Sequence, residues 1–227
     1  MNILGIVLAR KGSKGIKNKN RLKLRGKNLV ELSMIEAKKS KKINKLILST
    51  DDKFLQKKVR ALKFESPFLR PKKLANDNAS SFSVLRHATN WLEKNKNWKA
   101  DIIVLLQPTT PFRTAKIIDK VINKLISSKA DAAFTITDAD YPPHWMFYKR
   151  KDKLKLILKN GNKFTRRQDA PRVFKPSGMV YALKKDFLFK IKGLLPQKKT
   201  IGIYVDPEIS INIDNYNQYL LAKIKSK

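Results

Sequence analysis

Ile3-Leu4-Gly5-Ile6-Val7-Leu8 runs directly into Ala9-Arg10-Lys11-Gly12-Ser13-Lys14-Gly15-Ile16-Lys17-Asn18-Lys19-Asn20. The first stretch has the length and apolar character of a buried strand. The second is a loop with two glycines and the cations Arg10, Lys11, Lys14, Lys17 and Lys19. Such a loop suits a polyphosphate. Glycines let backbone N–H groups approach oxygens closely, and the cations offset anionic charge. Its place after a first strand is where open α/β sheets bind ligands. Two well-known phosphate loops are excluded. A P-loop needs Gly-Lys followed by Ser or Thr, whereas Lys14 precedes Gly15. A dinucleotide fingerprint needs an earlier glycine two residues before Gly12, and position 10 is arginine.

Downstream, strand-like and helix-like segments alternate. Residues 28–40 carry apolar side chains at helical spacing behind Asn28, a plausible N-cap. Residues 45–50 read as a second buried strand and 53–63 as a helix. Further helices are expected over 80–94 and 114–127, and further strands over 101–106 and 130–137. Strand 101–106 ends at Gln107-Pro108-Thr109-Thr110-Pro111, a rigid turn that cannot continue it. This order predicts a parallel sheet with right-handed crossovers.

The pattern breaks over 138–175, where Tyr141-Pro142-Pro143-His144-Trp145-Met146-Phe147 precedes short alternating runs around Asn160-Gly161. Asn-Gly in that setting predicts a hairpin turn. The segment reads as an antiparallel excursion, an inserted arm whose aromatic residues pack on a partner subunit. A strand at 178–183, a short helix at 186–191, a strand at 200–205 and a terminal helix at 216–225 complete the chain. All 227 residues are read as one domain.

The formal net charge of +33 raises nucleic-acid binding as one reading. The lysines are spread along the whole chain rather than gathered in a tail, and no nucleic-acid signature is present. Compositional drift of the surface is the preferred reading, with no specific nucleic acid as partner. The field still steers anionic ligands. No apolar run reaches the roughly 18 residues of a membrane span, and no secretory signal opens the chain, so no membrane partner and a cytoplasmic location are expected. The absence of cysteine excludes disulfides and thiolate metal sites, and two histidines exclude a His-rich cluster.

Four more segments accompany the first loop in order. They are Leu69-Arg70-Pro71 with Leu74 to Ser81, Leu106 to Arg113, Arg166-Arg167-Gln168-Asp169 with Pro176 to Tyr181, and Ser210-Ile211-Asn212-Ile213-Asp214. Together with residues 9–20 they resemble the motifs of the acylneuraminate cytidylyltransferases. That family includes CMP-sialic acid synthetases and relatives acting on legionaminic or pseudaminic acid. The resemblance implies a three-layer α/β/α, nucleotide-diphospho-sugar transferase-like (Rossmann-like) fold with a mostly parallel sheet. It implies a small antiparallel dimerisation arm, hence a homodimer. The implied reaction joins CMP from CTP to an acidic nine-carbon 2-keto sugar and releases pyrophosphate, with Mg2+ as cofactor.

The resemblance also implies roles. Arg10, Lys14 and Lys19 would contact the triphosphate and, with Asp214, form the catalytic set. Gly12, Ser13 and Gly15 would supply the backbone cradle, and Asn20 would face the nucleotide. Arg70 and Ser81 would lie near the cytidine, although Ser81 also reads as a helix N-cap. Gln107 would touch sugar, nucleotide or both. Arg166 and Arg167 would bind the sugar carboxylate, since a guanidinium pairs with it bidentately, and would act across the dimer. Lys175 and Tyr181 complete the sugar set, although Tyr181 reads equally as a packing residue of its strand. Arg113 reads either as a phosphate contact or as a clamp on its loop, and His87 as structural.

Three positions depart from the family pattern. Lys175 stands where relatives often carry arginine, and Ser177 where asparagine is usual. Asn212 replaces the first carboxylate of an Asp-x-Asp metal turn. Alternation along an extended segment puts Asn212 and Asp214 on one side. Magnesium accepts one or two carboxylates plus phosphates and water, so metal binding is expected to be retained but weakened. The alternative is a catalytically weakened relative that serves as a nucleotide- or sugar-binding module.

Overall fold

The computed structural model describes residues 1–191 and 199–226. Ten strands are present among them: β1 (Ile3–Ala9), β2 (Lys23–Leu24), β3 (Lys27–Asn28), β4 (Lys45–Thr50), β5 (Ile102–Leu106), β6 (Ala132–Asp138), β7 (Phe147–Arg150), β8 (Lys153–Leu156), β9 (Phe174–Lys184) and β10 (Thr200–Tyr204). The α-helices are α1 (Leu29–Lys38), α2 (Lys53–Ala61), α3 (Ser81–Lys96), α4 (Ala115–Ser127), α5 (Lys185–Lys190) and α6 (Tyr216–Lys225). None is long and apolar enough to cross a membrane.

The central sheet has the order β10-β6-β9-β5-β1-β4. β1 pairs in parallel with β4 and β5, and β10 with β6, whereas β9 is antiparallel to both its neighbours. The expected mostly parallel α/β sheet is therefore present. Its strands read as continuous apolar runs because both faces are covered. Val7 and Val104 point into one core, filled from α1, α2 and α4 by Met34, Leu55 and Val121. Ile6 and Leu105 point into the opposite core, filled from α3 and α5 by Leu85 and Leu188. A third cluster of Leu24, Leu29, Ile211, Ile213 and Ala222 seats the 210–215 turn and α6 against the first loop.

Chain order explains where a ligand can enter. From β1 the chain crosses to β4 on one side and then returns to β5 on the other. The two crossovers diverge between β1 and β5, which leaves a crevice at their carboxyl ends.

The arm departs from its sequence reading. Its hairpin joins β7 to β8, with Arg150 opposite Lys153 and Lys151 at a left-handed φ of 52°. Asn160-Gly161 does not make that turn and instead enters a 3-10 turn over Gly161–Lys163. Gly161 is buried against the His144 carbonyl oxygen, and a Cβ there would collide with it. The glycine serves close approach rather than reversal of the chain. β9 is also longer than the expected 178–183 strand, because residues from Phe174 onward pair with the end of β6.

Asn28 ends the short β2–β3 ladder and caps α1. Its side chain accepts the Glu31 N–H at 2.8 Å, and Glu31 accepts the Asn28 N–H at 2.8 Å. An Asn28→Ala variant is expected to lose about 1 kcal/mol of stability, read as a lower urea midpoint at unchanged m-value.

Candidate active site

A cleft of about 610 Å³ opens at the junction of β1 and β5. Leu8 and Leu105 form part of its floor, and Gln107 stands at the β5 exit. Of the residues singled out from the sequence, Arg10, Ser13, Lys14, Gly15, Lys19, Asn20, Arg70, Ser81, Gln107, Asn212 and Asp214 all line it. They come from four separate segments of the chain.

The first loop is tied at both ends. Asn20, which is buried, donates from its amide to the Arg10 carbonyl at 3.0 Å. The Lys11 N–H donates to Asp51 Oδ1 at 2.9 Å. Arg21 forks onto Asp52 at 2.8 and 2.7 Å and stacks 4.6 Å over the Phe54 ring. Asp52 also caps α2 by accepting the Phe54 N–H. Burial alone would raise the Asp52 carboxyl, but the Arg21 fork and the Phe54 N–H outweigh it and hold the group below its ordinary value. Gly15 lies against the Asp214 carbonyl oxygen so closely that a Cβ would collide with it. This contact couples the loop to the 210–215 turn.

Four cations face the cleft. Arg70 is buried and is held by Ser49, whose hydroxyl accepts from Nε at 3.2 Å and whose carbonyl accepts from Nη2. Burial lowers its pKa to about 10, with Arg10 pushing further down and Asp51 pushing up, so it stays charged at neutral pH. Lys19 pairs with Asp214 Oδ1 at 2.8 Å. Arg10 and Lys14 both reach Asp77, at 2.6 and 3.2 Å. Asp77 belongs to the Leu74–Ser81 segment, where the sequence gives it no role. Its position across the loop is a tertiary fact that spacing does not carry.

Ser80, not Ser81, caps α3 by accepting the Ser83 N–H at 3.1 Å. The Ser81 hydroxyl is thereby left to the cleft, beside the positive end of a 16-residue helix. Arg113 is buried and donates to the Gln107 carbonyl at 2.9 Å, the Thr110 hydroxyl at 3.0 Å and the Met179 carbonyl at 2.9 Å, and also to the Ser33 hydroxyl. It is a clamp on its loop and not a phosphate contact. His87 packs edge-on against Phe68 at 4.9 Å, consistent with a structural role.

Five expected residues lie outside the cleft. Gly12 is exposed, with nothing near its Cα on the side where a Cβ would stand. Tyr181 is buried in the core, 5.6 Å from the Phe134 ring, because its strand position faces the α3 side of the sheet. Arg166 pairs with Asp169 at 2.8 Å, and Lys175 pairs with Asp140. Arg167 lines a separate recess with Asp138 and Arg172. The arm's root is pinned there: Arg172 forks onto Asp138 at 2.6 and 3.0 Å, and Tyr204 donates to the same carboxylate at 2.7 Å.

The 210–215 turn bears on the metal question. The Asn212 amide donates to Asp214 Oδ2 at 2.6 Å, and Asn212 Oδ1 is buried without a partner. One carboxylate and one orphaned neutral oxygen suit a hard cation that takes its remaining ligands from phosphates and water. Among the described residues no group of three or more His, Cys, Asp or Glu is poised to hold a metal alone.

The sheet order and the cationic cleft are those of a nucleotidyltransferase. A solved structure of CMP:2-keto-3-deoxy-manno-octonic acid synthetase complexed with CTP superposes with a TM-score of 0.71 at 16% identity, covering 99% of both chains. A 4-diphosphocytidyl-2C-methyl-D-erythritol synthase from Anaerococcus prevotii superposes at 0.64 and 14% identity, covering 99% of this chain and 97% of that one. At these identities the likeness is one of fold. More particularly, the chain belongs to the cytidylyltransferase family, whose model matches residues 4–206. Among its relatives, the post-translational flagellin modification protein B of Campylobacter coli is 31% identical over 220 residues, 93% of this chain and 92% of that protein. A pseudaminic acid cytidylyltransferase of Campylobacter jejuni is 29% identical over 196 residues, 84% of each. The Escherichia coli N-acylneuraminate cytidylyltransferase is 29% identical, and this chain spans 51% of its length.

The Arg21–Asp52 fork makes a pH-dependent prediction. A depressed carboxyl contributes stability above its unfolded pKa of about 3.9 and loses it as pH falls through the folded value. Asp52→Asn should melt below wild type at pH 7. Thermal melts from pH 7 to 2.5 should show the gap closing only below about pH 4.

Proposed function

We propose that the protein transfers CMP from CTP to a nonulosonic, sialic-acid-like 2-keto acid sugar and releases pyrophosphate. The observation that carries this reading is the convergence of Arg10, Lys14 and Lys19 on one cleft, with Arg70 and Ser81 lining it as well. The family supports the cytidine nucleotide. The names of the Campylobacter relatives, a pseudaminic acid cytidylyltransferase and a CMP-N,N'-diacetyllegionaminic acid synthase, support the sugar class.

In this reading the sugar's anomeric hydroxyl attacks the α-phosphorus in line. An oxygen–phosphorus bond forms, the bond to the bridging oxygen of the β-phosphate breaks, and the hydroxyl proton passes to the medium. The chain needs no covalent chemistry of its own; it positions the reactants and stabilises charge. Arg10, Lys14 and Lys19 neutralise the leaving pyrophosphate, whose charge grows in the transition state. Ser13 and Gly15 offer backbone N–H groups. Arg70 and Ser81 present fixed polar groups to the pyrimidine edge. Gln107 orients nucleotide and sugar at the end of β5. Asp214 and Asn212 would hold magnesium, which supplies charge neutralisation at the phosphates when bound.

The arm residues fit a homodimer. Tyr141, Phe147, Tyr148 and Leu154 are each at least half exposed, a costly surface for a chain that stays alone. Arg166, Arg167 and Lys175 would then serve the neighbouring subunit's sugar site. Mixing inactive Lys19→Ala protomers with inactive Arg166→Ala/Arg167→Ala protomers should restore part of the activity, since hybrid dimers hold one intact site. No recovery after subunit exchange would mean that the arm arginines do not act on the neighbouring subunit's site.

The direct test is pyrophosphate release with CTP and a panel of sialic, legionaminic, pseudaminic and 3-deoxy-octulosonic acids. Arg10→Ala should lower kcat/KM by about 10²-fold or more. Silence with every acid at high magnesium would sink the reading. The Asn212 amide favours a second reading, that of a binding module with weakened catalysis. Activity that appears only in Asn212→Asp would support that module over an active native enzyme.

A further inference from the structure

Two cations of the first loop, Arg10 and Lys14, are already occupied by an anion that belongs to the chain. Arg10 Nη1 lies 2.6 Å from Asp77 Oδ1, and Lys14 Nζ lies 3.2 Å from Asp77 Oδ2. One carboxylate thus offers both its oxygens to two groups assigned above to the triphosphate. Asp77 sits in the turn between the 3-10 segment Lys72–Leu74 and α3. Asn76 braces that turn. Its amide donates to the Lys73 carbonyl at 3.1 Å, and its side-chain oxygen accepts the Asn78 N–H at 3.0 Å. Asn76 and Ala79 line the cleft on either side. The contact therefore spans the cleft mouth, from the loop after β1 to the loop before α3.

We infer that Asp77 is a displaceable counter-anion that competes with polyphosphate for Arg10 and Lys14. This deepens the nucleotide reading and rests on it. A phosphate chain and the Asp77 carboxylate cannot hold the same two cations at once, because like charges that close repel. Binding of the triphosphate swaps one set of charge-assisted bonds for another. Departure of pyrophosphate restores the internal pair. The exchange keeps Arg10 and Lys14 ordered between turnovers, when mutual repulsion would otherwise splay them. It also weakens ground-state binding of both CTP and the leaving pyrophosphate, which guards against product trapping. Arg10 and Asp77 are 32% and 43% exposed, and Lys14 is 80% exposed. Solvent screening therefore keeps the contact weak enough to exchange.

The experiment measures inorganic pyrophosphate and CTP binding by calorimetry to the wild type, Asp77→Asn, Asp77→Ser and Asp77→Glu. Cytidine binding, followed by NMR, reports whether the base pocket is intact. Both neutral variants should bind pyrophosphate and CTP roughly three- to tenfold more tightly, as expected for loss of an exposed double ion pair. They should leave cytidine affinity unchanged. Pyrophosphate should also become a stronger product inhibitor. Asp77→Glu, which keeps the charge, should stay near wild type. Unchanged or weaker pyrophosphate binding in both neutral variants overturns the inference, whatever the catalytic assay gives. Tighter pyrophosphate binding without any CTP-dependent turnover would leave the counter-anion standing and bring down the catalytic reading instead.

Discussion

The cleft depends on one buried cation that holds its rim from behind. Arg113 is fully enclosed, and burial lowers its guanidinium to about 10 even with Glu36 pulling the other way. A charge this deep needs hydrogen-bond acceptors, and here both Nη groups find them while Nε is left without a partner. Three elements supply the acceptors: the Gln107–Thr110 turn after β5, the Met179 carbonyl on β9 and the Ser33 hydroxyl on α1. The antiparallel strand, the crevice turn and the first helix are locked together at one point. Gln107 keeps its place at the rim because its own carbonyl is held from behind.

Around that anchor, ligand-facing charge and structural charge are kept apart. Arg21 and Arg113 are consumed by fixed partners and set geometry. Arg10, Lys14 and Lys19 rest on carboxylates that are 43% and 58% exposed, so those pairs are screened and exchangeable. The overall +33 charge draws anions to the whole surface. What makes one crevice specific is that several of its cations converge on a volume bounded by Ser81, Gln107 and Asn212. Net charge alone supplies no such convergence.

The inner part of the sheet was legible because both faces of β1, β4 and β5 are buried. Continuous apolar runs at residues 45–50 and 101–106 therefore marked strands almost to the residue. Caps were legible where the capping side chain is local, as at Asn28, and misassigned by one residue at Ser80 and Ser81. The arm was not legible. Asn160-Gly161 carries a strong turn signal, but tertiary contact with His144 takes the glycine for another use. The hairpin forms instead at Lys151-Asp152, for which pattern gives little warning. The roles of Tyr181 and Arg113 turned on which way a side chain points. At Tyr181 the pleat decides for the core, and at Arg113 the surrounding carbonyls decide for the interior.

The same distinction explains why the loop cations meet in one cleft while Arg166, Arg167 and Lys175 lie outside it. Loops at the carboxyl ends of adjacent parallel strands are forced together by the sheet, so cations placed there meet without further help. Arg166 sits beyond β6 on an excursion that the sheet does not constrain and pairs locally with Asp169, whereas Lys175 stands near the start of β9, opposite Thr137, and is taken up by Asp140. What fixes the excursion is its root, where Arg172 stacks over Phe174 and Tyr204 while gripping Asp138. That grip holds Asp138 down at about 2, Arg172 being the main cause and Tyr204 the second. The arm is thus anchored at its base and presents exposed aromatic side chains beyond it. Those side chains are the surface that the proposed homodimer would cover.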